Sequence, residues 1–180
     1  MENQNPWHSI SIGENAPEVV QAIIEIPRGS KAKFEIDKSS NLIKLDRVLY
    51  SAVHYPQNYG LIPQTYCEDG DDLDVLVLCS EVLPPLCLVE VRVVGVMGMV
   101  DGGEADDKII AVATKDPNVK HINDLSDIPQ HTLDEIKQFF EEYKKLEKKK
   151  VVEVTGFGDK EKAIQVVKDS MKLFQETFKK

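Results

Sequence analysis

At 180 residues, with 42% hydrophobic and 29% charged side chains, the chain has enough apolar material for one folded domain over residues 1–180 and too little length for two with a linker. Asp and Glu outnumber Lys and Arg by 31 to 22, a formal net charge of -9, which argues against nucleic acid or an anionic membrane as a partner. The longest uncharged apolar region, 82–100, is broken by Glu90 and Arg92, MENQNPWHSI lacks the features of a signal peptide, and three cysteines without C-x-x-C spacing suggest neither disulfides nor zinc, so a cytoplasmic location is expected.

VVQAIIEI (19–26) is rich in β-branched residues and ends at the turn Pro27-Arg28-Gly29-Ser30, which predicts a first strand. From Lys31 to Ile36 the residues alternate, with Lys33 and Glu35 on a polar face and Ala32, Phe34 and Ile36 on an apolar one. Leu42 to Leu49 reads as another strand, followed by an irregular aromatic stretch, Tyr50 to Tyr66, in which Pro56, Gly60 and Pro63 act as breakers. Val75–Cys79, Leu86–Met99 and Lys108–Ala113 complete a strand-rich middle. After Pro129 the period changes. Thr132 and Glu135 form a capping-box pattern ahead of Leu133, Ile136, Phe139, Phe140, Tyr143 and Leu146 at helical spacing. The run Lys144 to Lys150 reads as the solvated end of that helix. Gly156-x-Gly158 is expected to be a strand-to-helix turn, with Asp159 capping a second helix that carries Ala163, Val167, Met171, Phe174 and Phe178. Short strands followed by two helices imply α+β, with a small closed barrel pairing its own edges and the helices packed outside it.

The acid is concentrated at two turns. Glu68 to Asp74 holds five carboxylates in seven residues just before an apolar strand, and Asp101-Gly-Gly-Glu-Ala-Asp106-Asp107 lies between two more strands. Like charges this close repel unless they are solvated or neutralised by a cation. Oxygen ligands without Cys or His favour a hard ion such as Mg²⁺, with Mn²⁺ as an alternative. An EF-hand does not fit, because Asp74 stands at the glycine position and Ser80 at the position of the bidentate Glu. Several Mg²⁺ ions usually meet a polyanion, and two charges stand out as potential partners in a polar barrel mouth. Glu25 is isolated within AIIEI, and Arg47 shares the apolar side of its strand with Ile43, Leu45 and Leu49.

In IIEIPRGSKAKFEID (23–37), LDRVLYSAVHYPQNYG (45–60), EDGDDLDVLVL (68–78), VVGVMGMVDGGEADDKIIAV (93–112) and FFEEYKKLE (139–147), in this order and spacing, the sequence resembles the soluble, single-domain, Mg²⁺-dependent (family I) inorganic pyrophosphatases. The resemblance implies a five-stranded closed, OB-like barrel with flanking C-terminal helices, several Mg²⁺ ions per site, pyrophosphate as substrate and a homohexamer. It also implies roles. Asp69, Asp74 and Asp106 would hold the tight activating ion, with Asp74 shared by a second. Asp101 and Asp106 would hold a further ion with substrate, while Glu25 and Glu35 would bind through water. Asp71 would orient and deprotonate the attacking water. Lys33, Arg47, Tyr59, Lys108, Tyr143 and Lys144 would grip the phosphates, with Tyr55 as proton donor. The implied reaction is in-line attack of a metal-bridging hydroxide with no covalent intermediate.

Two positions depart from the family pattern. Asp72 stands where Pro or Glu is usual, and Gly102 where many bacterial members carry acid, leaving Glu104 or Asp107 as substitutes for a third ion. Two other classes compete. An oligonucleotide-binding barrel would need a basic groove, and a non-catalytic Ca²⁺ protein would leave Lys33, Arg47 and Lys144 without a purpose.

Overall fold

Five strands close on one another in the computed structural model, which describes residues 5–147 and 151–179. They are β1 (Val19–Ile26), β4 (Asn58–Ile62), β5 (Leu73–Leu78), β8 (Lys108–Ala113) and β6 (Leu88–Asp101), hydrogen-bonded in that order, and β6 returns to pair with β1. This is the expected five-stranded ring. All its pairings are antiparallel except β5 with β8. The C-terminal half of β6 runs on past the ring to pair with β7 (Glu104–Ala105) and β9 (Val152–Gly158). A separate hairpin joins β2 (Ala32–Asp37) to β3 (Leu42–Val48). The helices are α1 (Pro6–Ser9), α2 (Gln130–Glu142) and α3 (Lys160–Phe178).

Strand alternation sorts the side chains into two sets. Ala22, Ile24, Ile62, Val75, Val77, Val93, Ile109 and Ala111, drawn from all five ring strands, form the interior cluster, with Ala163 and Val167 of α3 packed against it. Residues one position away, Tyr59, Leu76, Leu78, Met97, Met99, Ile110 and Val112, face outward into a second cluster covered by Leu133, Ile136, Phe139 and Phe140 of α2. Because polar groups at the same strand ends share this alternation, Glu25, Asp74, Asp101 and Lys108 also lie on the outer face. Arg47 sits on the hairpin. The polar barrel mouth expected for Glu25 and Arg47 is therefore corrected: neither points into the ring, whose interior is apolar.

β4 falls inside the stretch expected to be irregular. Gly60, read as a breaker, is a point of close backbone approach, since a Cβ there would lie 1.9 Å from the Ile23 carbonyl oxygen of β1. Pairing with β1 and β5 overrides the weak local propensity. α2 starts two residues before Thr132, with Pro129 as its N-cap, and the Thr132 N–H already donates to the Pro129 carbonyl, so the Thr132–Glu135 capping box does not form. The basic end of that helix is not helical as expected. α2 stops at Glu142, Lys145–Glu147 form a 3₁₀ turn, and residues 148–150 lie outside the described residues. Gly156 and Gly158 are within β9 and pair with Gly98 and Val96, and Asp159 does cap α3, accepting from the Lys162 N–H at 3.0 Å.

Gly60→Ala is expected to destabilise the protein by more than about 3 kcal/mol or abolish folding, because the methyl would separate β1 from β4; a melting temperature within a few degrees of wild type would contradict that. Away from the outer face, Asp116 accepts from the Ser80 and Asn118 N–H groups at 2.6 and 2.9 Å, and these bonds hold its carboxyl down at about 2. A depressed carboxyl stabilises the fold above its unfolded pKa and loses that contribution as pH falls toward the folded value. Asp116→Ala should therefore lower the melting temperature at pH 7 by an amount that shrinks steadily from about pH 4 to pH 2, and a pH-independent difference would refute the assignment.

Candidate active site

The parallel register of β5 and β8 sets Asp74 beside Lys108. Lys108 is 2% exposed, and its ammonium is hydrogen-bonded to both Asp74 and Asp106, with the Tyr59 ring centroid 5.8 Å away. Burial alone would drive this ammonium to lose its proton, but the two carboxylates outweigh burial and hold it charged above the ordinary lysine range. Burial, reinforced by Asp74, pushes the Asp106 carboxyl up despite Lys108, and burial likewise raises Asp69. Asp69 accepts from the Asp71 N–H at 3.1 Å.

Next to this bridge lies a cavity of about 360 Å³ lined by Glu25, Lys33, Glu35, Tyr59 and Asp71, with Trp7, Lys38, Lys44 and Asp72 also on its wall. Glu25 is buried and accepts from the Ile36 N–H at 2.7 Å, and burial raises its carboxyl to about 7. Lys33 is paired with Glu35 and lies 3.7 Å from Asp46. Asp71 is paired with Lys38; burial opposes its ionisation, but the lysine prevails and keeps the carboxyl below its usual range. Asp72 is almost wholly buried and pushed well up by that burial.

The aromatic face of α2 completes the outer wall. Tyr55 packs on Phe139 with ring centroids 4.6 Å apart, Tyr59 lies 5.4 Å from Tyr55, and Tyr143 stacks on Phe139 at 5.4 Å. Burial raises all three phenols, so at neutral pH they are hydroxyls. Tyr143 hands the chain to Lys144, which pairs with Asp101. Arg47 stands further out on the hairpin, its Nε donating to Glu147 at 2.8 Å and its guanidinium paired with Asp46.

Every residue singled out from the sequence thus lies on the outer face or on elements bordering it, although not all of them meet. Asp74, Asp106, Lys108 and Tyr59 form one group, Glu25, Lys33, Glu35 and Asp71 line the cavity, and Lys144–Asp101 and Arg47–Glu147 are separate pairs. Among the described residues no three His, Cys, Asp or Glu side chains converge as a metal centre. The donor set nevertheless suits a hard cation. It is all oxygen, two carboxylates already share one positive charge at Lys108, and the buried Asp101 Oδ1 has no hydrogen-bond partner among the described residues. Of the proposed substitutes for acid at Gly102, Glu104 is exposed, and Asp107 Oδ1 accepts from the Met99 N–H at 3.3 Å. Gly102 and Gly103 have φ of +59° and +92°, a pair of left-handed positions at the β6–β7 turn.

Sequence reasoning missed Lys38, Asp72, Asp46 and Glu147 as partners of the candidate groups. Lys38 follows the last residue of β2, where alternation no longer assigns a face, and Arg47 meets Glu147 across 100 residues of chain.

Residues 22–175 match the family model described as inorganic pyrophosphatase. The chain is similar to a soluble inorganic pyrophosphatase of Oryza sativa subsp. indica, 54% identical over 94% of this chain and 79% of that protein. It is also similar to soluble inorganic pyrophosphatase 2 of Chlamydomonas reinhardtii, 53% identical over 97% and 90%. In three dimensions it is similar to the crystal structure of inorganic pyrophosphatase from Thermus thermophilus, with a TM-score of 0.92 and 45% identity over 96% of this chain and 99% of that one. With about half its residues identical to those of relatives over nearly its whole length, and the same fold beneath them, the chain belongs to the inorganic pyrophosphatase family.

Proposed function

We propose that this chain hydrolyses inorganic pyrophosphate to two orthophosphates with Mg²⁺ at the outer face of the ring. The observation that carries the reading is the buried Lys108 ammonium shared by Asp74 and Asp106, because it joins a phosphate-binding cation to carboxylates suited to a metal. Mg²⁺, when bound, supplies positive charge to the phosphate oxygens and acidifies water. Asp69, Asp74 and Asp106 would hold the tight ion, Asp101 with Asp106 a further one, and Glu25 and Glu35 would act through water; Mn²⁺ suits the same oxygens.

The protein's own groups would do the rest. The Asp71 carboxylate would take the proton from the attacking water. Lys33, Arg47, Tyr59, Lys108, Tyr143 and Lys144 would orient the two phosphates and oppose the charge that develops on the leaving one, with Tyr55 as its proton donor. In the free protein Lys33, Lys108, Lys144 and Arg47 are each paired with acid. Binding would then be an exchange in which carboxylates turn to the metal and ammonium groups to phosphate, so that few charges are left uncompensated. The same reading carries a cytoplasmic homohexamer, as expected of the short relatives.

Asp71→Asn is expected to lower kcat by about 100-fold or more while Mg²⁺ binding, measured by calorimetry, persists; near-normal kcat would remove its assigned role. In Mg²⁺ titrations of activity, Asp74→Ala should raise the half-activating concentration more than Glu35→Ala does, and the reverse order would overturn the ranking of ligands.

A further inference from the structure

Lys38 has no role in the scheme above, yet three groups converge on its ammonium. It is hydrogen-bonded to Asp71, stands 3.7 Å from Asp72 Oδ2 and lies 3.9 Å from the centroid of the Trp7 ring. Two of these are fixed anchors. The Asp72 side chain is 7% exposed. Trp7 is buried, its indole N–H donates to the Thr65 carbonyl at 2.6 Å, and its ring lies against Tyr66 and Phe174. Asp71 differs from them. Its side chain is 62% exposed on a turn; within the turn its Oδ1 accepts from the Asp72 N–H at 3.0 Å, and Lys38 holds it from outside the turn.

We propose that Lys38, clamped between the Trp7 ring and the buried Asp72, is a positioning residue that aims the Asp71 carboxylate at the attacking water; this rests on the role given to Asp71 above. An ammonium over an indole face is an electrostatically favourable seat, and a second anchor from the Asp72 side fixes its direction. Misplacing a reacting group by about 1 Å can cost on the order of 100-fold in rate, so an aiming contact at an exposed base is worth holding rigidly.

The test is steady-state hydrolysis of Mg²⁺-pyrophosphate by the full chain. Lys38→Met is expected to lower kcat about 10- to 100-fold with KM within about twofold, and Lys38→Arg, which keeps the charge and stacks on indole, to recover most of the loss. If Lys38→Met does not fold, Asp72→Ala, which removes the anchoring carboxyl, reads the clamp from its other end, with an expected kcat loss of about three- to tenfold and no loss contradicting the proposal. A lowered melting temperature with unchanged kcat would leave Lys38 a structural role only, and a raised KM with unchanged kcat would make it a substrate contact; either overturns the proposal. Crystal structures of the wild type and Lys38→Met decide the point without turnover. Asp71 should occupy one rotamer in the first and several in the second, with Asp69 and Asp74 unmoved, and an identical Asp71 in both would refute positioning. Failure of the wild type to hydrolyse pyrophosphate would sink the functional reading, and the crystallographic comparison would still decide whether Lys38 holds Asp71.

Discussion

A lysine buried to 2% exposure between two aspartates is the interaction on which the outer face depends. Taking a charge of that kind out of water costs several kcal/mol, and only close opposite charges with direct hydrogen bonds can offset it. The backbone provides them through register. Parallel pairing sets Asp74 against Lys108, and the hairpin formed by β6 and β7 brings Asp106 to the same ammonium. Shifting either strand by one residue would turn these groups into the apolar interior.

The same bridge explains how an acidic protein can meet a polyanion. The surplus of acid is not spread over the surface; much of it is gathered at the ends of β5 and β6, where lysines already answer Asp71, Asp74, Asp101 and Asp106. Under the proposed function, Asp74, Asp101 and Asp106 are carboxylates that would turn to a metal, and Lys108 and Lys144 are ammonium groups that would turn to phosphate. Net charge argues against nucleic acid as a partner, but not against a small, densely charged anion that arrives with its own cations.

Much of this was legible in the chain. The bounds of β1 and β8, the Asp159 cap and the apolar stripe of α3 from Ala163 to Phe174 follow from local rules and hold in the structure, while Phe178 at the end of that stripe is exposed. What escaped was decided at long range. Gly60 looks like a breaker until the Ile23 carbonyl occupies the space where its Cβ would be. Glu25 and Arg47 seemed to require a polar barrel interior, whereas the face of Glu25 is set by alternation with Ile24 and Arg47 belongs to the separate hairpin. The candidate site residues could be named from their order and spacing, but their partners could not, because Lys38 meets Asp71 across 33 residues and Lys144 meets Asp101 across 43.

The central claim is that these carboxylates form a cage for Mg²⁺ that makes pyrophosphate a substrate. It is tested most directly by phosphate release from pyrophosphate with and without Mg²⁺, using ATP and a simple phosphate monoester as control substrates. The account predicts release from pyrophosphate that requires Mg²⁺ and greatly exceeds release from either control. Equal rates with and without Mg²⁺, or no release from pyrophosphate at all, would contradict it.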